Sequence, residues 1–470
     1  MRQYEMIAGL ETHVELSTKT KIFCGCTTAF GSEPNTHCCP VCTGMPGTLP
    51  KLNARVVEYA VRAGLATGCR INRISKMDRK NYVYPDLPKA YQISQYDKPL
   101  CEWGRIELSN GRTIRITRIH IEEDAGKLVH VRGNTLVDYN RGGVPLIEIV
   151  TEPDFRSADE IREYLETLQL TMKTIGVSDC KMQEGSLRCD VNISVRPVGS
   201  ETFGTRTEIK NMNSFTYMEK AVAYETERQI DLIESGGTVV QETRRYDEAS
   251  GMTESMRGKE DADDYRYFRE PDLVTIAVTD EQIEQWQADM PELPRHRLDR
   301  YTNQLQLPAA DAALLVKYPR IAAYFDEAAQ GVNARTVANF ILGALFRRLP
   351  TDAEKENAAF PVPAAYLHDL AALIDGGKLN MNLAKTTFEK MLDTGKPVSD
   401  LLTQADLAGL DAEALAAVCR AAVENNPAAV ADIRAGKEKA MGALIGYVMK
   451  ATRGKADAGA ATALLKQLIG

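Results

Sequence analysis

Acidic residues stand in the middle of apolar strands throughout the first part of this chain, and that pattern restricts its fold more than any other feature. In residues 136–154, LVDYNRGGVPLIEIVTEPD, two strands flank a Gly142-Gly143 turn. Side-chain alternation in PLIEIVTEP puts Leu146, Glu148, Val150 and Glu152 on one face and Ile147 and Ile149 on the other. A glutamate buried in mid-strand is costly unless a cation or a metal meets it. At a strand end it would be an ordinary surface ion pair. The oddity recurs. In IAGLETHVEL, Glu11, His13 and Glu15 share a face opposite Leu10, Thr12, Val14 and Leu16. In SLRCDVNISV, Arg188, Asp190 and Asn192 oppose an apolar face, and in TRTEIKNMN, Arg206, Glu208 and Lys210 align in the same way. RITRIHIEEDAGK ends in Glu122, Glu123 and Asp124. One such strand is an ordinary half-exposed antiparallel strand. Several, loaded with acids, a histidine and fixed cations, predict an antiparallel sheet whose open face is a reaction surface.

Five of the ten cysteines fall between Cys24 and Cys42. Cys24-x-Cys26 and Cys39-x-x-Cys42 are two short knuckles joined by a polar loop, a tetrahedral thiolate cage for structural zinc, with Cys38 and His37 as spare neighbours. The alternative is reduced cysteines packed as small hydrophobes. The N-terminal MRQYEMIAGLE lacks the basic and apolar regions of a signal peptide, and no run approaches the roughly 18 apolar residues of a membrane span. The expected location is therefore the cytoplasm, with no membrane partner, where a cysteine bunch reads as metal-binding rather than disulfide. A net charge of −8 argues against broad nucleic-acid coating but allows local basic patches, within 70–89 and 434–455.

LNARVVEYAVRAGLATG predicts an amphipathic helix with a glycine stop. Residues 75–99 read as a long functional loop, in which Lys80, Tyr82, Tyr84 and Tyr91 suit phosphate, ribose or base. Asn110-Gly111 predicts a type I′ hairpin turn. Long helices are expected from the Ser157 cap to Gly176 and from about Ser214 to Ser235. Residues 241–272 are densely charged. They read either as a linker or as a loop closing over phosphates with Arg244, Arg245, Arg257, Tyr265, Arg266 and Tyr267. Past the proline-bracketed stretch 290–297 the strand pattern gives way to alanine- and leucine-rich helices, with a second shift near 397–410. The terminal helices read either as a packing bundle or as an RNA-touching tail.

The segments GLETHVEL, DRKNYVYPDLPKAYQISQYD, HIEEDAGK, VDYNRGGVPLIEIVTEPD, EGSLRCDVNIS, EIKNMNSF, QETRRYDE and GKEKAMGALIGYVMKA together resemble the B subunits of the bacterial glutamyl/aspartyl-tRNA amidotransferases, in the family's order along nearly the whole chain. The resemblance implies an α+β fold. A glutamine-synthetase-like antiparallel-sheet catalytic domain with a zinc knuckle (1–293) would precede an all-α helical domain (294–405) and a small YqeY-like tRNA-binding tail (406–470). It implies ATP-dependent phosphorylation of the side-chain carboxylate of Glu-tRNA(Gln) or Asp-tRNA(Asn), then amidation by ammonia. The ammonia would come from glutamine on the glutaminase, or A, member of a heterotrimer that is completed by a C member. Glu11, His13, Glu123 and Glu148 match its magnesium-binding positions. Alternation alone favours Glu122 over Glu123, and the family match favours Glu123 through a strand-end bulge. Magnesium prefers oxygen ligands, which leaves His13 to act through a water or to position ammonia. Asp190, Glu208 and Lys210 are candidates for the ATP and acyl-phosphate site, with cross-strand ion pairing as the alternative. Arg188, Arg206, Arg244 and Arg245 are expected to hold the nucleotide. The rival function is a non-catalytic tRNA-binding and assembly scaffold, suggested by the knuckles, the basic tail and the long helical half.

Overall fold

Alternation of the kind seen in IAGLETHVEL makes a strand that one face buries, and in the computed structural model this strand lies at the centre of the largest sheet. The structure describes residues 4–210, 212, 214–258, 265–403, 406, 412–452, 456 and 458–470. The strands are β1 (Tyr4–Glu15), β2 (Arg70–Ile71), β3 (Ile74–Ser75), β4 (Asp78–Asn81), β5 (Tyr91–Ser94), β6 (Cys101–Glu107), β7 (Thr113–Glu123) and β8 (Lys127–Val131). They continue as β9 (Asn134–Asp138), β10 (Pro145–Thr151), β11 (Leu187–Pro197), β12 (Thr207–Lys210), β13 (Glu242–Asp247), β14 (Met252–Gly258), β15 (Phe268–Arg269) and β16 (Ile276–Ala277). Nine form one sheet, ordered β14-β13-β12-β11-β1-β10-β7-β6-β2. Every pairing is antiparallel except β12 with β13.

Helices α1 (Ala54–Ala66), α2 (Ala158–Thr174) and α3 (Phe215–Glu234) supply apolar stripes to one face of this sheet. Each begins at a polar cap, Asn53, Ser157 or Ser214, whose side chain accepts a first-turn backbone N–H. Val56, Ala60, Ile161, Leu165, Met218 and Val222 pack in one core with Leu10, Val14, Ile147, Ile149, Val191 and Ile193. The opposite face carries the acids.

One polar cluster sits on the helix side. Glu225 of α3 is 0 % exposed and accepts from Thr207 at 3.0 Å, Arg228 at 2.7 and 2.9 Å, Gln229 at 2.9 Å and Thr253 at 2.8 Å. Arg244 completes it, 3.3 Å from Glu225 and bonded to Glu242 and Thr253. This corrects the expectation for Arg244. Its side chain holds β13 and β14 to α3 and is unavailable to a nucleotide. The charged stretch 241–258 is accordingly a hairpin of the main sheet.

Two further local expectations change. Only Gly111 of Asn110-Gly111 has positive φ, +83°, so the turn is not type I′. Gly111 N–H bonds to Leu108 O at 3.0 Å and Leu108 N–H to Arg112 O at 2.8 Å, while the Asn110 side chain reaches Glu160 at 2.9 Å. The expected loop 75–99 is largely a β4–β5 hairpin, extended by β15 into a three-stranded sheet. Gln92 of β5 braces it against β7, donating to Glu123 O at 2.8 Å.

The chain divides into two units, Met1–Leu293 and Pro294–Gly470. The described part of the second is helical, including Ala309–Val316, Pro319–Ala328, Ala364–Asp375 and Met381–Thr394. Residues 404, 405 and 407–411, around the expected 405/406 boundary, lie outside those described. The last helices, Ala412–Asn425, Pro427–Arg434, Met441–Ala451 and Ala458–Ile469, enclose a core of Cys419, Ala422, Leu444, Val448 and Leu465. The molecule is a mixed α+β protein.

Candidate active site and metal centres

Register determines which acids meet. β1 lies between β10 and β11, with His13 opposite Glu148 and Arg188, and Glu11 opposite Val150 and Asp190. β7 sets His120 opposite Glu148, and β12 sets Glu208 opposite Asn192. Acids scattered from Glu11 to Glu208 thereby occupy one face.

Two clusters result, each with its ligating atoms within 4.8 Å of one another: His13, Glu122 and Glu148, and Glu11, Asp190 and Glu208. In the first, His13 Nε2 is 3.3 Å from Glu122 and 3.9 Å from Glu148, while His120 Nε2 is 3.0 Å from Glu148. In the second, Lys210 Nζ reaches Asp190 at 2.5 Å and Glu208 at 3.1 Å, and the Thr243 hydroxyl donates to Glu208 at 2.8 Å. Asn192 donates to Glu11 at 3.0 Å.

Crowding of like charge shows in the titration behaviour. Burial, then Glu148, raises the Glu11 carboxyl above its ordinary value. Burial also opposes charge on His13, but Glu122 and Glu148 outweigh it and carry its pKa up to about 9. Burial would raise Glu148 too, yet His120 and His13 hold it well below the usual carboxylate range. Acids gathered this closely, with protons or cations needed to offset them, suit divalent metal ions.

Glu123 is corrected. Alternation in β7 persists to its last residue, with no bulge there, so Glu122 faces the acids and Glu123 the other side. There Lys89 Nζ binds Glu123 at 2.5 and 2.6 Å, and Ile93 N–H donates to it at 2.9 Å. Sequence reasoning also passed over His120 as a site residue, although it shares the polar face of its strand.

Arg188 donates to Asp124 at 2.7 Å, and its buried Nε has no hydrogen-bond partner among the described residues. Arg206 is exposed just ahead of β12, and Arg245 pairs with Glu254 at 2.8 Å. Lys80 Nζ lies 4.6 Å from the Tyr265 ring and 5.6 Å from that of Tyr82, and Tyr267 stacks on Tyr96 at 4.3 Å. The tyrosines border the acids, since burial first and then Tyr265, Glu148 and Glu122 raise the Tyr267 hydroxyl. Tyr91 is covered instead by Arg79, 4.2 Å from its ring, and Tyr84 is exposed. The Arg257 side chain lies outside the described structure.

Cys24, Cys26, Cys39 and Cys42 bring their sulfurs within 4.8 Å of one another, a donor set fit for a metal ion. Against the effect of burial, hydrogen bonds from the Cys24 thiol and the Cys39 N–H pull the Cys42 thiol down to about 4.

Known proteins resemble the chain along nearly its whole length. Residues 6–284 match the family described as GatB/GatE catalytic domain, and residues 323–469 that described as GatB domain. The chain is 52% identical over 471 residues to the B subunit of the aspartyl/glutamyl-tRNA(Asn/Gln) amidotransferase of Thermoanaerobacter sp. (strain X514), covering 99% of each chain. It is 53% identical to the protein of the same name in Caldicellulosiruptor saccharolyticus, covering 97% of each. For the counterpart in Clostridium botulinum (strain Langeland) identity is 49%, over 97% of this chain and 96% of the relative.

Proposed function

The chain belongs to the GatB family, as one subunit of a tRNA-dependent amidotransferase, and from that premise we propose that the acidic sheet face is where a tRNA-linked carboxylate is phosphorylated and then amidated. The supporting observation is the pair of adjacent clusters sharing β1: His13, Glu122 and Glu148 beside Glu11, Asp190 and Glu208.

A side-chain carboxylate of Glu-tRNA(Gln) or Asp-tRNA(Asn) cannot form an amide unaided, because hydroxide is too poor a leaving group. In the proposed sequence its oxygen attacks the γ-phosphorus of ATP and ADP departs. Ammonia then attacks the acyl carbon, phosphate leaves with the C–O electron pair, and the proton shed by the nitrogen goes to the departing phosphate. Magnesium held by the two clusters would offset charge on the transferring phosphoryl oxygens. Lys210, with Arg188, Arg206 and Arg245, lies on or beside the same face to receive phosphates. Lys80 with Tyr82, Tyr265 and Tyr267 offers a cation and ring faces for the terminal nucleotide of tRNA. We extend the reading to a glutamine-synthetase-like sheet domain, a zinc ion on the four cysteines, a tRNA-binding tail, and a cytoplasmic heterotrimer. Its glutaminase (A) member would release ammonia from glutamine, with C as third member. No helix among the described residues is long and apolar enough to cross a membrane.

The test is turnover of isotope-labelled ATP by the purified complex with each misacylated tRNA, with and without glutamine. Glu148→Gln is expected to slow phosphorylation by about 100-fold or more while tRNA binding stays nearly intact. Full activity in that variant would end the reading. Failed assembly of that variant, with no ATP hydrolysis on adding tRNA to the wild-type complex, would favour a scaffold.

A further inference from the structure

Lys21 is 0 % exposed, between the strand that carries His13 and the first cysteine knuckle. Its ammonium donates to the Tyr139 carbonyl at 3.1 Å and lies 3.7 Å from Cys42 Sγ. No carboxylate pairs with it among the described residues. A buried ammonium without a counter-charge is disfavoured by several kcal/mol, so an anion belongs next to it. The nearest candidate is the cysteine cage. Four thiolates around a divalent ion leave two negative charges in excess, and Cys42 already accepts the Cys39 N–H at 3.2 Å.

We propose that Lys21 is the built-in counter-ion of the four-cysteine metal centre and ties that centre to the turn from which the Glu148 strand starts. The inference rests on the zinc reading above. The second half follows from what else holds the turn. The Tyr139 carbonyl also accepts Gly142 N–H at 3.0 Å, and Ile22 N–H, next to Lys21, donates to Gly143 O at 2.9 Å. Asn140 accepts His37 N–H at 2.8 Å and donates to Glu33 O at 2.7 Å. The Gly143 Cα hydrogen faces the Lys21 stem, where an added Cβ would lie 3.6 Å from Cδ. Two residues after Gly143, β10 begins at Pro145 and runs through Glu148. The cysteine cage, the lysine and the turn therefore share one set of contacts.

The experiment measures zinc in the full complex by metal analysis and by chelator competition, for wild type, Lys21→Met and Lys21→Arg. Lys21→Met is expected to weaken zinc binding by about 10–100-fold, the usual effect of removing an outer partner of a metal site, and Lys21→Arg to restore most of it. Unchanged affinity in Lys21→Met would overturn the counter-ion role. Wild type without zinc would instead remove the reading on which it rests. A second measurement needs no variant. Stripping zinc from the wild-type complex should speed amide exchange in residues 139–146 and leave α2 unaffected. Equal exchange with and without zinc would overturn the tie to the turn.

Discussion

Glu122 and Glu123 leave β7 on opposite sides, so one peptide separates a carboxylate that meets His13 from one that meets Lys89. Their variants should differ in kind. Glu122→Gln is expected to weaken manganese or magnesium binding and ATP turnover by about 100-fold at nearly unchanged stability. Glu123→Gln leaves the half-buried Lys89 poorly paired and should lower stability by about 3 kcal/mol, with cation affinity largely kept. Metal titration and urea unfolding of the two proteins give the comparison. Equal losses of cation affinity would contradict the assignment. The same parity shows what the residues make legible. Alternation alone places Glu122, Glu148, Glu11 and His13 on one face, because a buried opposite face fixes register. The family resemblance points to Glu123 instead, since it carries residue identity but not side-chain direction. At Arg244 alternation is hidden by the dense charge of 241–272, which reads as loop. Once β13 is a strand, Thr243 and Arg245 take the acidic face and Arg244 the helix face.

At the scale of elements, α3 matters for more than its apolar stripe. It links β12 to β13, the one parallel pair of the main sheet, and Glu225 bonds across to both sides of that pair through Thr207 and Arg244. Burial opposes its charge, but Arg228, Gln229 and Thr253 outweigh this and lower its carboxyl below the ordinary 4.5. A depressed folded value contributes stability that is complete above the unfolded value and lost as pH falls through the folded one. Glu225→Gln should therefore cost about 3–5 kcal/mol at neutral pH, with the gap to wild type closing below the unfolded value. Denaturant midpoints at pH 7 and in mild acid test the sign, and a gap that widens in acid would refute it. Helix ends are readable from their caps, Ser157 and Ser214, because capping is local. The β4–β5 hairpin is not. Its stabilising bonds to β7 come from residues about 30 positions away, and its tyrosines and prolines mask any period of two.

At the scale of the whole chain, the two units differ in kind: a sheet that gathers charge on one face, and helices that enclose small apolar cores. The helical character of the second is legible from the disappearance of two-residue alternation past residue 297. The three-way arrangement within the main sheet around β1 is not, because pairing order is set by tertiary packing. Arg434, Lys437, Lys439 and Lys450 are exposed around the last core, as a phosphate-binding surface requires. Deleting residues 411–470 should weaken tRNA binding, and the slope of log affinity against log salt should flatten by about 0.7–0.9 for each phosphate no longer engaged. An unchanged slope would show that those cations meet no RNA. The position of β1 has a consequence for synthesis. It leaves the ribosome well before its neighbours in the sheet, β10 and β11, the latter ending at Pro197. At translation speeds of about 5–20 residues per second, β1 waits roughly 10 to 40 seconds for its second neighbour. Meanwhile the nascent chain carries an unzipped, partly apolar ribbon with two bare edges. A strand so far in sequence from both of its partners is the kind of segment that calls for a chaperone's shelter.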